Sequence, residues 1–407
     1  MTPLAIVNAR VIDPQAGTVS PGGVRIEHRR IEDIGEIATE GTELIDAKGA
    51  LVAPGIVDMG VFAADPAACA AGGITRIALM PDQSPPLDDG ALVRHAAAVS
   101  KPALWVHPIA AATRGLEGRE LAEIGLMRNA GACAVATGRG WIADSGVMHR
   151  LLAYAGALDL LVISHAEDDG LTANAVATDS ETASRLGLTS APAVAEAMAV
   201  ARDIALAEET GAALHFRQLT TARAFDLVRA AKRRGARVTC GITPAHLLLS
   251  DTAIGPFRTF ARLSPALRDE RDRLAAIEAV RDGTIDVVAS GHDPRGPEAK
   301  RLPFADAAPG MAGAATLLAL SLTLVRDGVI GLPRLFDMLS STPARLLGLP
   351  AGGLAPGDEA DLVLIDEGAP WKIDADNMAG IAGNTPFDGL PVQGRVRKTI
   401  KGGQPLG

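Results

Sequence analysis

The chain has 407 residues, 48% of them hydrophobic, and carries a formal net charge of −9. This length and composition allow a large buried core, either as one α/β barrel with a satellite domain or as two or three ordinary domains. The negative charge argues against a nucleic acid or an anionic membrane as a partner, because both repel an acidic surface.

The cysteines, the N-terminal segment and one apolar run indicate the cellular compartment of the protein. The three cysteines form no CxxC or Cys/His cluster, so neither a disulfide framework nor a structural zinc site is expected. The N-terminal MTPLAIVNARVIDPQ lacks the basic and long apolar regions of a signal peptide. The run AATLLALSLTLV is too short to span a membrane and predicts a buried helix. We therefore expect a cytoplasmic protein.

Both ends of the chain contain short β-like runs that Gly, Pro and Asp separate. The runs are LAIVNARVID, GGVRIEHRRIEDIGE and ELIDAKGALVAP near the N-terminus, and GGLAPGDEADLVLID and GRVRKTIKGG near the C-terminus. This pattern predicts one small β-sandwich-like domain, built jointly from residues 1–52 and 350–407.

Residues 53–349 alternate apolar runs with Ala-rich helical segments. The eight runs are GIVDMGVF, ITRIALMP, ALWVHPIA, ACAVATG, LLVISHAED, ALHFRQLT, RVTCGIT and IDVVASGHD. Helical segments such as DDGALVRHAAAVS and TTARAFDLVRAAKRRG follow most of them. Eight such units predict a (β/α)8 TIM barrel, whose functional residues lie at the C-terminal ends of the strands. A doubly wound open sheet is the alternative, but no GxGxxG turn follows the first run.

Seven segments follow one another in an order that is known from one enzyme family. They are PGIVDMGVFAADP, MPDQSP, SHAED, LHFRQLTTA, TPAHLLL, SPALRDERDRLAAIEAVRDGTIDVVASGHDP and NTPFDG. In these segments the chain resembles the dihydroorotases of the amidohydrolase superfamily, from about Leu4 to the C-terminus. The resemblance implies a barrel that interconverts dihydroorotate and N-carbamoyl-aspartate with the help of zinc-bound hydroxide.

Most of the family's metal ligands are absent at the matching positions. The HxH pair of the first strand corresponds to Gly60 and Phe62, and the sixth-strand histidine corresponds to Gln218. His165 retains the fifth-strand histidine, whereas the fourth-strand segment GACAVATGRG has no lysine or aspartate to bridge two metals. Because a zinc site needs about three protein ligands, the resemblance implies that no zinc is bound.

The catalytic and substrate-binding positions have changed as well. The aspartate that acts as general acid and base in the family corresponds to Gly291, which leaves His292 and Asp293 as residual candidates for proton transfer. A carboxylate at Asp82 would repel an anionic substrate. The former substrate-pocket positions are Ala64, Asp82, Ser264 and Arg295.

The remaining aromatic and imidazole side chains also have structural interpretations. His165 can hydrogen-bond in a polar cavity, His215 and His246 can pack within the barrel, and His107 can line the mouth from the end of the third strand. An inward-pointing Phe62 would close the former metal cavity as a packed plug, and its burial would stabilise the barrel by roughly 1.5–3 kcal/mol.

These losses together predict a catalytically inactive dihydroorotase homologue without a metal cofactor. Inactive homologues in bacteria associate with aspartate carbamoyltransferase and support its assembly, so the resemblance implies this partner and a structural role in pyrimidine synthesis. Since relatives often dimerise, a homodimer is also compatible with the resemblance.

Two other interpretations stay open. A working cyclic amidohydrolase would need a rebuilt zinc site made of His165, His292 and Asp293 with His107 or His215. A metal-free sensor would instead use the former active-site mouth to bind carbamoyl-aspartate or dihydroorotate.

Overall fold

The computed structural model describes residues 3–98 and 103–406, in which most strands belong to two eight-stranded sheets. The strands are β1 Leu4–Asp13, β2 Thr18–Glu27, β3 Arg30–Gly35, β4 Glu43–Asp46, β5 Leu51–Pro54, β6 Ile56–Val61, β7 Ile74–Leu79, β8 Trp105–Ala111, β9 Ala134–Ala136, β10 Leu161–Ser164, β11 Ala177–Thr178, β12 Ser190–Ala191, β13 Leu214–Phe216, β14 Val238–Ile242, β15 Val287–Val288, β16 Leu362–Lys372, β17 Pro391–Lys401 and β18 Gln404–Leu406.

Helices separate most strands of the central region. They are α1 Pro66–Gly72, α2 Gly90–Ala98, α3 Ile124–Asn129, α4 Ser145–Ala157, α5 Asp169–Thr172, α6 Glu181–Leu186, α7 Val194–Thr210, α8 Ala222–Arg233, α9 Pro244–Leu248, α10 Glu270–Arg281, α11 Pro297–Lys300, α12 Leu317–Arg326, α13 Leu332–Phe336 and α14 Thr342–Leu346. Residues 99 and 100, which end the predicted helical segment DDGALVRHAAAVS, lie outside the described residues.

The central sheet is the predicted (β/α)8 barrel. Its strands are β6, β7, β8, β9, β10, β13, β14 and β15, which pair in parallel in this chain order, and each of the eight apolar runs contains one of them to within one residue at its end. Parallel strands that are buried on both faces produce continuous apolar runs, which explains why the sequence pattern was clear. Neighbouring helices pack in the same order, α4 against α7, α7 against α8 and α8 against α10.

A buried carboxylate joins the first and last barrel strands. Asp58 in β6 accepts a hydrogen bond from the backbone N–H of Ser290, just after β15, at 2.9 Å, and a second from the Ser290 hydroxyl. The backbone N–H of Phe62 donates to the carbonyl of His292 at 2.9 Å across the same seam. Side-chain and backbone contacts thus complete the barrel where the strand path ends.

The second sheet combines both ends of the chain. Its path runs β18, β17, β16, β5, β1, β2 and β3, with β4 pairing β1, so that β5 lies between the C-terminal and N-terminal strands. The expected β unit from both termini is therefore confirmed, and its strands lie within residues 4–54 and 362–406. The domain limits 1–52 with 350–407 and 53–349 stay predictions.

Buried charges also connect the barrel to this terminal sheet. Arg76 in β7 pairs with Glu359 and, at 2.8 Å, with Asp361, both just before β16. The ammonium of Lys401 lies 3.5 Å from the ring centroid of Trp105 in β8. These contacts hold the terminal sheet against the N-terminal ends of the barrel strands.

The apolar run AATLLALSLTLV lies mainly in α12, where seven of the ten residues are buried in the core. Among residues 3–98 and 103–406, no helix is both long and apolar enough to cross a membrane.

The barrel seam predicts an unusual pH dependence of stability. Burial raises the pKa of Asp58 to about 6, and the Ser290 hydrogen bonds only partly oppose this effect. The native state then keeps a proton that the unfolded chain releases near pH 4, so the free energy of unfolding falls as pH rises from about 4 to 6. Above pH 6 the loss amounts to roughly 3 kcal/mol.

We expect Asp58→Asn to flatten this decline, because the amide stays neutral and its oxygen can still accept the Ser290 N–H. Urea unfolding at pH 5 and pH 8 measures the effect, and the variant should be more stable than wild type at pH 8. Asp159→Asn, at an exposed position, is the matched control. Identical pH profiles for wild type and Asp58→Asn would contradict the assignment.

Candidate functional site at the barrel mouth

The C-terminal ends of the barrel strands surround a cavity of about 130 Å³. Its walls come from the segments that follow β6, β9, β13, β14 and β15, as expected for a functional site of this fold. The lining residues are Phe62, Arg139, Arg217, Gln218, Thr243, His246, Leu263, Ser264, Gly291, Asp293, Pro309, Gly310 and Met311.

Arg217, the residue after β13, lies beside Gly60. A Cβ atom at Gly60 would come within 3.1 Å of Cγ and Cδ of Arg217, and Gly60 has a φ of +78°, which favours glycine. The missing side chain of Gly60 therefore makes room for the arginine. Burial lowers the pKa of Arg217 to about 10, so the guanidinium stays charged at neutral pH.

The ring of Phe62 contacts two cations rather than an entirely apolar surrounding. The guanidinium carbon of Arg139 lies 3.8 Å from the ring centroid, and that of Arg217 lies 5.0 Å from it. Phe62 is buried, as expected for an inward-pointing side chain, and it also packs on apolar barrel residues. The prediction of a closed plug is wrong, however, because the cavity persists beside the ring.

Asp293 is held by two arginines. Arg139 donates to both carboxylate oxygens, to Oδ1 at 3.0 Å, and Arg295 donates to Oδ2 at 2.8 Å. Arg295 also donates to the carbonyl of Pro309 at 3.0 Å. Both oxygens of Asp293 are thus occupied by guanidinium donors, so this arrangement does not favour Asp293 as a general base.

Asp82 is directed at Arg139 and lies outside the cavity lining. Its Oδ1 accepts the backbone N–H of Arg139 at 2.9 Å, and the Arg139 Nε lies 3.9 Å away. Burial raises the pKa of Asp82, which the nearby arginines partly offset. The expected repulsion of an anionic substrate by Asp82 is therefore reduced by a positive charge of the same site.

Both ring nitrogens of His165, the retained family histidine, are engaged. Nδ1 lies 3.3 Å from Nη2 of Arg217, and Nε2 lies 3.4 Å from Oε2 of Glu167. An arginine can only donate, so Nδ1 must accept, and the ring proton lies on Nε2, facing Glu167. The orientation leaves His165 without a free nitrogen for a metal ion.

Glu167 and Arg268 continue this network away from the cavity. Nη2 of Arg268 donates to Oε1 of Glu167 at 2.7 Å, and it also lies 3.5 Å from the buried Glu196. Burial favours the neutral form of Glu167, but the hydrogen bond from His165 and the charge of Arg268 outweigh it and hold its pKa at about 2.

His292 is separated from His165 and does not line the cavity. Its Nδ1 accepts the backbone N–H of Ala314 at 3.3 Å, and its Nε2 lies 3.6 Å from the carboxylate of Asp65. Burial opposes ionisation of Asp65, yet His292 and the backbone N–H groups of Ile381 and Ala68 lower its pKa to about 2. This pair holds the segment after β15 against the start of α1.

The other histidines occupy structural environments. His246 accepts at Nδ1 from the amide of Gln218 at 2.7 Å and donates from Nε2 to the carbonyl of Pro265 at 3.0 Å. Nδ1 of His215 lies 2.9 Å from the Thr239 hydroxyl. Burial lowers the pKa of His246 to about 4 and that of His215 to about 3, so both rings are neutral at pH 7.

The expectation that His107 ends the third strand and lines the mouth is wrong. His107 is the third residue of β8, which continues to Ala111, and its Nε2 lies 3.4 Å from Nη1 of Arg76. Its ring is thus near the junction with the terminal sheet, at the opposite end of the barrel. The rebuilt zinc site of His165, His292, Asp293 and His107 or His215 is not brought together.

The remaining predicted positions have different environments. Gly291 lines the cavity with a φ of +59°, and a Cβ there would come within 2.9 Å of Cγ2 of Thr243, so an aspartate would not fit without a shift. Ser264 lines the cavity at its exposed rim. Ala64 is half-buried and packs against the main core.

The residues that surround the cavity do not fit a zinc ion. Gly60 and Phe62 supply no donor atom, His165 is engaged at both nitrogens, and Arg217 places a positive charge where a cation would bind. Across the described part of the chain, no group of three His, Cys, Asp or Glu side chains could hold a metal ion.

Sequence reasoning missed the two arginines that dominate the mouth. Arg217 stands in LHFRQ between the two family histidine positions, and Arg139 follows the fourth strand in ATGRG. Neither arginine is a metal-ligand residue type, so comparison with the family's ligand positions does not identify them. An arginine at the C-terminal end of a barrel strand nevertheless indicates a charged mouth.

Comparisons with known proteins agree on the family. A family model described as "Dihydro-orotase-like" matches residues 43–223. The dihydroorotase of Geobacter metallireducens is 38% identical, with 98% of each chain covered. A "Dihydroorotase-like protein" of Pseudomonas aeruginosa is also 38% identical, again with 98% of each chain covered.

Solved structures agree on the fold. The L-hydantoinase of Arthrobacter aurescens superimposes with a TM-score of 0.88 at 23% identity, covering 100% of this chain and 96% of that one. The D-hydantoinase from Thermus sp. superimposes with a TM-score of 0.84 at 24% identity, covering 99% and 94%. On its full-length similarity to curated dihydroorotases and on this barrel, the chain belongs to the dihydroorotase-like family of amidohydrolases.

Proposed function

We propose that this protein is a metal-free member of the dihydroorotase family, without dihydroorotase activity, that serves as an assembly subunit for aspartate carbamoyltransferase in the cytoplasm. The absence of a metal ion and of activity is supported by the buried guanidinium of Arg217, which fills the space beside Gly60 and donates to His165. The assembly role with aspartate carbamoyltransferase rests on the family resemblance.

The charges around the cavity support a site without metal. A divalent cation there would be repelled by Arg217 and Arg139, and the one carboxylate that lines the cavity, Asp293, already pairs with Arg139 and Arg295. Zinc bound to this family's barrel supplies the hydroxide that opens the cyclic amide. This chain offers neither the ligands to hold it nor a carboxylate at Gly291 to move the proton.

The preserved barrel supports a role that depends on the outer surface. The eight strands, the buried seam at Asp58 and the junction at Arg76 form a complete barrel with its terminal sheet, although the mouth does not fit a zinc ion. A protein that acts through its shape and outer surface needs the barrel and the terminal sheet, but it does not need a metal site in the mouth.

The relatives' names favour a second candidate, a working dihydroorotase. Several curated relatives of 37–40% identity carry that name over 98% of this chain. A working enzyme would have to bind its metal with side chains in an arrangement different from the one described above.

Metal content and turnover distinguish these candidates. We expect purified protein, expressed with added zinc, to contain far less than stoichiometric zinc by plasma mass spectrometry. It should show no conversion of dihydroorotate in either direction. Stoichiometric zinc together with turnover would establish the working enzyme. An active dihydroorotase, purified in parallel, controls for zinc loss and for the assay.

Restoring the family ligands tests the role of Arg217. We expect Gly60→His with Phe62→His to bind zinc poorly, because the Arg217 side chain lies 3.1 Å from the new Cβ and repels the ion. Adding Arg217→Ala removes the steric neighbour and the charge and frees His165 as a third ligand, while the positive φ of position 60 is the same in both variants. Cobalt absorption spectra should therefore show binding only in the triple variant. Equal binding by the double variant would contradict the obstruction by Arg217.

Assembly is tested with the aspartate carbamoyltransferase of the same genome. We expect the two proteins to co-elute in size-exclusion chromatography with light scattering. Arg217→Gln should co-elute equally, because the proposed contact uses the outer surface and not the mouth. Two separate species at micromolar concentrations would contradict the proposed assembly role.

A further inference from the structure

Arg217 differs from the other two fully buried arginines of the described residues. Arg76 and Arg268 are each 4% exposed or less, and each pairs with two carboxylates. Arg217 is 8% exposed, and no carboxylate within the described ranges lies within 4 Å of it. A buried cation without an anionic partner is unfavourable, so the environment of Arg217 is electrostatically incomplete.

The hydrogen bonds of Arg217 are incomplete as well. Its Nη1 donates to the amide oxygen of Gln218 and its Nη2 to Nδ1 of His165, both at 3.3 Å and both to neutral acceptors. Its Nε is buried and has no hydrogen-bond partner in the described part of the chain. A guanidinium has five N–H donors, so most of its donor capacity is available.

Asp82, Asp293 and Glu167 act electrostatically on Arg217, but among the described residues none of them lies within 4 Å of its guanidinium. Asp293, which shares the cavity, pairs with Arg139 and Arg295. Glu167 pairs with Arg268 and faces the opposite nitrogen of His165. The guanidinium of Arg217 thus keeps donors with which it can pair an anion from outside the chain.

The cavity indicates what kind of anion fits. Phe62, Leu263 and Met311 supply apolar walls, while Ser264 stands at the exposed rim. A planar guanidinium matches a carboxylate in a bidentate pair, and the apolar walls suit a short hydrocarbon part. A dry cavity of about 150 Å³ accommodates benzene, so a cavity of about 130 Å³ takes a ligand of roughly six heavy atoms.

We propose that the barrel mouth binds a small monocarboxylate, of at most about six heavy atoms, with Arg217 as its anchor in the place of a metal ion. Arg217 supplies the charge and the donors, and the Phe62 wall contacts the apolar part of the ligand. This binding site is independent of the assembly role, so a negative result for either leaves the other unaffected.

Calorimetric titration of the full chain with propionate, at constant pH and ionic strength, tests the site. We expect saturable binding of propionate and none of its neutral isostere propionamide. Arg217→Gln should weaken binding about tenfold or more, as expected for the loss of a charge-assisted hydrogen bond. Arg234→Gln, at an exposed arginine that pairs with Glu208, should bind propionate like wild type.

Two further variants keep the test decisive if Arg217→Gln does not fold. Ser264→Trp closes the rim without altering Arg217 and should abolish binding, and Arg217→Lys keeps the charge but should weaken binding because it loses the planar fork. Absence of propionate binding to wild type, equal binding of propionamide, preferential binding of inorganic phosphate, or unchanged affinity in folded Arg217→Gln or Ser264→Trp would each overturn the proposal.

Discussion

The positive charge of Arg217, buried at the C-terminal end of the sixth barrel strand, determines the arrangement of the mouth. Because its guanidinium donates to Nδ1 of His165, the His165 proton lies on Nε2, and Glu167 is placed to accept it. Glu167 in turn pairs with Arg268. One cation thus orients a histidine and a carboxylate that follow the fifth strand.

Buried ionisable groups also hold the other seams of the molecule. Asp58 accepts two hydrogen bonds from Ser290 where the barrel closes, and Arg76 pairs with Glu359 and Asp361 at the terminal sheet. Removing the carboxylates that pair with Arg76 would leave its buried charge without compensation, which is strongly destabilising. The junction with the terminal sheet thus joins opposite charges, whereas Arg217 in the mouth has no carboxylate within 4 Å among the described residues.

The sequence predicted the barrel well because its strands are buried on both faces and read as continuous apolar runs. It predicted the β sheet formed by both termini because short alternating runs separated by Gly, Pro and Asp are typical of strands. The mouth was harder, because its contacts join residues that are far apart in the chain, such as Arg139 and Asp293. His107 was misplaced since an apolar run does not reveal where its strand ends, and β8 continues for four more residues.

Gly60 and Gly291 each lie against a side chain from a distant part of the sequence. Gly60 has no side chain where Arg217 passes, and Gly291 has none where Thr243 approaches, so in each case a second residue now occupies the freed volume. Both glycines also have positive φ angles, which side chains rarely adopt. A single reversion would therefore meet a steric neighbour, an unfavourable backbone conformation and, at position 60, a positive charge. A histidine at position 60 or an aspartate at position 291 therefore requires a change at a second residue as well.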